Sequence, residues 1–263
     1  MAAAQDLFLG NNRVVRAVSG TTIALTAYGA GAGFEEWHSH ANDSISLLLS
    51  GTHHESLQGR ELKRTPGDLK FIPAGVMHRC EQYLPGTCKI NLDLNGQALQ
   101  KMGISEEQLA GLSGSSLPAK FTLLKLYHEL VAHEVPEAST ELLLFQLFNP
   151  ATPPKHKGAP PLWAERLKDL LHDEWDKNFH LDDLSARLGV HPVTISRYFP
   201  LYFATTLGNY MLQIKVNKAL TMIRASNTPL TQIAYNCGFA DQAHFTRTFK
   251  AITGYRPQEF RKA

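Results

Sequence analysis

Leu230 to Arg261 reads LTQIAYNCGFADQAHFTRTFKAITGYRPQEFR. Leu230, Ile233, Ala234 and Cys237 fall at offsets of 3, 4 and 7, the apolar stripe of a short helix. Gly238 breaks that helix, and Asp241 is placed to cap the next one. In the second helix Phe245, Phe249 and Ile252 share one face. The opposite face carries Gln242, Ala243, Thr246, Arg247 and Lys250. Gly254 stops this helix, and Pro257 opens a last short one. Two helices about a tight glycine turn, the second with one apolar and one basic, hydrogen-bonding face, form the helix-turn-helix pattern.

The unit occurs twice. Leu181, Leu184, Leu188 and Gly189 repeat as Leu230, Ile233, Cys237 and Gly238 at a shift of 49 residues. Beyond the turn the shift is 50, so Val193, Ile195, Ser196, Arg197 and Phe199 match Ala243, Phe245, Thr246, Arg247 and Phe249. A one-residue difference falls in the turn, where length changes are tolerated. Both copies set an arginine between two core anchors, on the outward side of the helix. A duplicated supersecondary unit is stronger evidence than either copy alone.

With the repeat in place, roughly the last hundred residues resemble the DNA-binding domain of the AraC/XylS family of bacterial transcription regulators. IAYNCGFADQAHFTRTFK, followed by Gly254 and Pro257, carries the resemblance. It implies two helix-turn-helix units joined by one long helix, here from about Thr206 to Arg224. Leu207, Tyr210, Met211, Ile214, Leu220 and Ile223 would form its buried stripe. At ~1.5 Å per residue it would be roughly 28 Å long. Successive major grooves on one face of DNA recur every ~34 Å, so such a helix can hold two recognition helices in consecutive grooves.

Charge follows the same division. Residues 1–159 hold 13 Lys+Arg and 15 Asp+Glu, whereas residues 184–263 hold 10 Lys+Arg against only Asp241 and Glu259. That concentration is the footprint of a phosphate-binding surface, the alternative being a solvated helical face. The chain has no apolar run long enough to span a membrane. The start, MAAAQDLFLG, lacks the basic region and long apolar core of a signal peptide. Cys80, Cys88 and Cys237 are odd in number and form no CxxC pair, which suits reduced thiols. A cytoplasmic protein with no membrane partner is expected.

The expected fold is α+β in two domains. Residues 1–150 form the first, with a small β-barrel over about 6–95 and helices over about 98–148. Residues 151–161 are a proline-rich linker, and residues 162–263 an all-α DNA-binding domain that opens on a helix from Trp163 to Trp175. In the first domain the short runs Thr22–Thr26, Ser46–Leu49 and Leu69–Ile72 alternate with Gly29-Ala30-Gly31, Pro66-Gly67 and Pro73-Ala74-Gly75. Trp37-His38-Ser39-His40 sets two histidines on one strand face. Gly67, Pro73, Gly75 and His78 follow G-x5-P-x-G-x2-H. Between Gly33 and Tyr83 these resemble the two motifs of the cupin family, which implies a barrel holding a metal or a small molecule. Where the resemblance calls for a glutamate after the second histidine, the chain has Ser44 and Ile45.

Trp37, His38, His40 and His78 are therefore the expected lining for a small polar effector. His38, His40 and His78 are also the candidate ligands for a divalent ion, with no other cofactor expected. Alternatively, these histidines hydrogen-bond inside the barrel. His53 and His54 are adjacent and expected at a loop or surface. Leu123, Leu124, Leu126, Tyr127, Leu130 and Val131 form a helical stripe that Pro136 ends, and Leu142 to Phe148 is apolar nearly all round. In the resembled family such helices pair subunits into a homodimer; otherwise they cover the barrel.

Val193, Ser196 and Arg197 of the first recognition helix, and Gln242, Ala243, Thr246 and Arg247 of the second, are the expected base contacts on double-stranded DNA. Arginine can grip guanine O6 and N7, glutamine can pair with adenine, and Val193 or Ala243 can touch a thymine methyl. Thr194, His244 and Lys250 are placed for phosphate. Pro200-Leu201-Tyr202-Phe203 departs from the family pattern, and Pro200 should end or kink its helix. The apolar residues after it could dock on the first domain or on RNA polymerase. The resulting expectation is a transcription regulator, an activator by resemblance, that responds to a small-molecule effector and is not an enzyme. A metal-dependent cupin enzyme would explain the histidines but not the duplicated unit, and no Ser/His/Asp constellation or phosphate loop is visible.

Overall fold

The computed structural model describes residues 8, 10–18, 20–29, 34–112, 117–132, 137–149 and 160–262. The chain divides into two compact units, Met1–Asn149 and Pro150–Ala263. Most of the proline-rich stretch, residues 150–159, lies outside the described residues, as do Pro136, the first seven residues and the Ala30-Gly31 part of one turn.

The first unit opens with β1 (Asn11–Val18), β2 (Thr21–Tyr28), β3 (Phe34–His38), β4 (Asp43–Ser50) and β5 (His53–Leu57). It continues with β6 (Arg60–Arg64), β7 (Leu69–Ile72), β8 (His78–Glu81) and β9 (Thr87–Leu94). They form two antiparallel sheets, ordered β1-β2-β9-β4-β7 and β3-β8-β5-β6. The apolar runs read from the sequence lie in β2, β4 and β7. Every residue of β9 is buried, so both of its faces are covered. Ile90, Leu92 and Leu94 alternate there with Lys89, Asn91 and Asp93, giving the strand one apolar and one polar buried face. Gly51, between β4 and β5, has φ +72° and sits so close to Thr87 that a Cβ would meet its Cα at 2.5 Å. Only glycine lets that turn pass. The edge strand β6 exposes Arg60, Glu61 and Lys63, charges that discourage further strand pairing.

Four helices follow: α1 (Gly96–Lys101), α2 (Glu106–Ala110), α3 (Leu117–Ala132) and α4 (Glu137–Phe148). α3 and α4 pack on one another. Leu123, Leu124, Leu126, Tyr127 and Leu130 are buried as the stripe requires; the side chain of Val131 lies outside the described residues. On α4 Leu144, Leu147 and Phe148 are buried, while Leu142 and Phe145 remain more than half exposed.

The second unit is helical: α5 (Leu162–Asp173), α6 (Leu181–Leu188), α7 (Pro192–Phe203), α8 (Leu207–Ala225), α9 (Leu230–Asn236), α10 (Gln242–Thr253) and α11 (Pro257–Lys262). The repeat holds in three dimensions. α7 and α10 are each 12 residues long, and their N-caps His191 and Asp241 are 50 apart. The first-helix turns pass through left-handed Gly189 (φ 68°) and Gly238 (φ 70°), and the second helices end at left-handed Ala204 (φ 53°) and Gly254 (φ 87°). The long helix is α8, capped by Thr206, whose hydroxyl accepts from the Asn209 amide. Tyr210, Ile214, Leu220 and Ile223 of its stripe are buried, whereas Leu207 and Met211 are only half so. Val216, Ala219 and Lys215 are buried as well.

Pro200 does not end its helix. α7 runs three residues further, and the Ala204 amide donates to the Pro200 carbonyl at 3.0 Å. Proline removes the bond its own N–H would make, at a cost of about 3 kcal/mol in a helix interior. Packing beyond it offsets that cost. Phe203 stacks on Phe199 with centroids 4.2 Å apart and meets Tyr210 at 5.3 Å, while Tyr202 packs edge-on against Trp163 at 5.9 Å. The apolar run thus has partners inside its own unit. Among the described residues no helix is long and apolar enough to cross a membrane.

Candidate nucleic-acid interface and candidate metal centre

The two second helices of the repeat bury matching anchors. Ile195 and Phe199 on α7, and Phe245 and Phe249 on α10, are fully buried. This burial turns the opposite faces outward. On α7 Val193, Ser196 and Arg197 are exposed and Thr194 is half-buried. On α10 Gln242, Ala243, Arg247 and Lys250 are exposed, with His244 and Thr246 half-buried. Gln242 accepts a short hydrogen bond from the Thr231 hydroxyl on α9, which ties its amide to the preceding helix. His244 packs edge-on against Phe239 at 5.4 Å. The Asp241 carboxylate accepts from the His244 amide at 2.7 Å, and bonds to the His244 and Ala243 amides hold its carboxyl below the usual range.

Not every cation in this unit faces outward. Lys215 is buried. Arg187 is held by both carboxylate oxygens of Glu174, Arg224 donates to the Phe260 carbonyl at 3.4 Å, and Arg261 donates to that of Thr228 at 2.6 Å. Arg197, Arg247 and Lys250 are exposed and in no ion pair among the described residues, so they remain to meet an anionic partner.

In the first unit both sheets line one cavity of about 40 Å³. In its lining the rings of His38 and His78 are 4.2 Å apart, with His40 at 5.1 and 5.0 Å. The ligating atoms of all three lie within 4.8 Å of one another. His38 Nδ1 is 2.7 Å from the Glu36 carbonyl and His78 Nδ1 is 3.1 Å from that of Val76. A carbonyl only accepts, so both Nδ1 atoms carry the hydrogen and both Nε2 lone pairs are left for a ligand. Burial lowers the His40 pKa to about 4, with His78 and His38 adding to the effect, and burial also lowers that of His78.

Trp37 is not part of this cluster. It is 48% exposed, with the Arg79 guanidinium 5.4 Å from its ring centroid. The cause is a bulge: Glu35 pairs with Cys80 but His38 with His78, so β3 carries one extra residue. That residue turns both Glu35 and His38 into the cavity and leaves Trp37 outside. His40 lies just beyond the strand and reaches the cluster from the following turn.

His53 corrects a second expectation. It is the first residue of β5, 1% exposed, stacked on Tyr83 at 4.7 Å, and it lines the cavity. Burial, with Lys89 and Arg64 nearby, lowers its pKa to about 2 and keeps it neutral. The same lining holds residues that no motif marks. Lys89 donates to the Tyr83 hydroxyl at 3.1 Å and lies 4.8 Å from the Tyr28 ring centroid, with Tyr28 and Tyr83 stacked at 3.9 Å. Arg64 pairs with Glu55 at 3.1 Å, and Asn91 donates to Thr26 at 2.8 Å. Alternation of Lys89, Asn91 and Asp93 with Ile90, Leu92 and Leu94 was the available signal. Glu35 and Glu55 put carboxylates in the cavity where Ser44 and Ile45 do not. Burial pushes the Cys80 thiol up to about 12 and the Cys237 thiol up to about 11, so neither is a nucleophile at neutral pH.

Residues 184–263 match the family model described as a helix-turn-helix domain. The HTH-type transcriptional activator RhaR of Escherichia coli (strain K12) is 26% identical over 244 residues, covering 85% of this chain and 86% of its own length. RhaR of Shigella dysenteriae serotype 1 (strain Sd197) gives the same figures. Among solved structures, ToxT from Vibrio cholerae covers 92% of this chain and 97% of its own at 11% identity and a TM-score of 0.38.

Proposed function

We infer that this chain is an AraC-type regulator of transcription that binds DNA through its C-terminal unit. One observation carries the conclusion: a helix-turn-helix unit built twice, with its second copy inside the matched residues 184–263. Both second helices enter major grooves in this reading. Arg197, Ser196 and Val193 meet base edges from α7, and Arg247, Thr246, Ala243 and Gln242 do so from α10. Thr194, His244 and Lys250 hold phosphate. Arg247→Ala is expected to cost about 1–3 kcal/mol on the cognate site and to relax base preference at one position. Lys250→Ala should instead weaken every duplex alike and flatten the salt dependence. Titration of each variant against cognate and scrambled duplex measures this; equal losses on both duplexes for Arg247→Ala would remove the base-contact assignment.

The N-terminal unit is, in this reading, a cupin-like sensor with residues 1–150 as the effector-binding part. Two facing sheets and a shared polar cavity support it. A pocket for a drug-sized ligand encloses about 300–1,000 Å³, so a cavity of about 40 Å³ suits an ion and a few waters better than a sugar-sized molecule. The donor set fits a divalent cation: three imidazoles, two of them fixed by Nδ1–H bonds that leave Nε2 to ligate. Bound there, the ion would give a small polar effector a Lewis-acidic anchor. Calorimetry of the full chain with zinc, nickel and manganese tests the site. His78→Ala should weaken the tightest binding by at least the ~10–100-fold that loss of an outer-shell partner costs. Unchanged affinity in that variant removes the metal. Contact with RNA polymerase, and pairing of two subunits through the exposed Leu142 and Phe145 of α4, belong to the same proposal.

A further inference from the structure

Covalently, the two helix-turn-helix units meet only through α8. Left-handed Ala204 and capping Thr206 precede it, and an extended Ser226 follows it. Each unit packs on its own end of α8, Phe203 against Tyr210 and Arg224 on the Phe260 carbonyl, and these end contacts do not join one unit directly to the other. Yet two recognition helices can use consecutive grooves only if the angle between the units is held.

The middle of α8 supplies a lateral tie. Lys215 is 6% exposed, although it lies in the most basic part of the chain. Its ammonium donates to the side-chain oxygen of Asn178 at 3.2 Å and to the Gly238 carbonyl at 3.1 Å. Asn178 precedes α6, at the entrance to the first unit. Gly238 is the left-handed turn of the second. One charge therefore bonds both units across the helix that joins them. The fit is close: a Cβ on Gly238 would come within 3.0 Å of Lys215 Nζ and 3.1 Å of the Asp176 carbonyl. One turn on, Lys218 Nζ lies 5.5 Å from the ring centroid of Trp175, so α8 grips the α5–α6 connection twice.

We propose that Lys215 is a positioning residue that sets the spacing of the two DNA elements the protein reads, by locking the second unit's turn to the entrance of the first. It touches no DNA. Its loss frees the units to adopt other separations while leaving each recognition helix intact. The proposal rests on both units entering DNA.

The test begins with a site selected from random duplex by the full wild-type chain. Affinities are then measured for that site, for the site with one base pair inserted between its two elements, and for a duplex keeping only the element read by α10. One inserted pair turns the second element by roughly 35°. Wild type should reject the insertion by about tenfold or more. Lys215→Met, which keeps the stem and removes the ammonium, should reject it by about threefold or less, with binding to the single element unchanged. Asn178→Ala, at an exposed loop position outside the core, should shift discrimination the same way by a smaller factor. A selected site with one element overturns the two-groove reading and this proposal with it. A two-element site whose spacing discrimination survives in both variants overturns the role of Lys215 alone. Parallel losses on all three duplexes also overturn it, because they report general destabilisation.

Discussion

Phe249→Ala is expected to destabilise the C-terminal unit by about 3–5 kcal/mol and to remove most specific DNA binding at 37 °C. Phe249 is fully buried, with Phe245 at 5.6 Å and Phe260 at 5.9 Å, so it ties α10 to α11 as well as to its own neighbours. Truncation opens a cavity among aromatic rings whose positions are set by two helices, and such a site collapses poorly. Domains are stable by only about 5–15 kcal/mol, so a loss of this size raises the unfolded population many-fold. Lys250→Ala, one residue on and exposed, is the control and should change stability by less than about 0.5 kcal/mol. Urea unfolding followed by Trp163 and Trp175 fluorescence gives both values. A Phe249→Ala loss under about 1 kcal/mol would mean that α10 is not anchored as described.

Glu55→Leu is the second large effect, expected to cost the N-terminal unit about 3–5 kcal/mol. Glu55 and Arg64 face each other at 3.1 Å with side chains 2% and 5% exposed. Removing the carboxylate leaves a guanidinium that still reaches the Ser46 and Asp68 carbonyls at 3.4 and 3.1 Å. Those dipoles do not neutralise its charge, and desolvation of an unpaired ion is the dominant penalty. The double variant Glu55→Leu/Arg64→Leu should recover most of the loss, because no buried charge is then left behind. Thermal unfolding monitored at Trp37 measures it. A double variant no more stable than the single one would show that the pair is held by the cavity's shape, not by its charge balance.

These two residues differ in how far they could be foreseen. Phe249 was visible as one of three apolar positions at helical spacing, and Asp241, Gly238, Gly254 and Pro257 act as cap, turn, stop and start where expected. Glu55 carried no such mark, because its partner and its cavity are built by other strands. His53 was misplaced for the same reason: adjacency to His54 says that the two face opposite ways, but not which way is inward. Trp37 was misplaced because a bulge changes the parity of β3, and nothing in FEEWH announces the extra residue. Pro200 by itself allows an end or a kink, and the structure excludes the end. Its local effect is real, but Phe203 on Phe199 and Tyr210, and Tyr202 on Trp163, hold the turn beyond it in the helix.

The sequence by itself determined the duplicated unit, its glycine turns, the Asp241 cap of the second copy, and which side chains its recognition helices turn outward. Those features rest on interactions within about four residues, and the chain order contains them. Tertiary structure alone decided which residues join the three histidines in the cavity, and the Lys215 tie. Each joins residues far apart in the chain, and their meeting depends on sheet pairing, one bulge and the packing of α8, which no local period encodes.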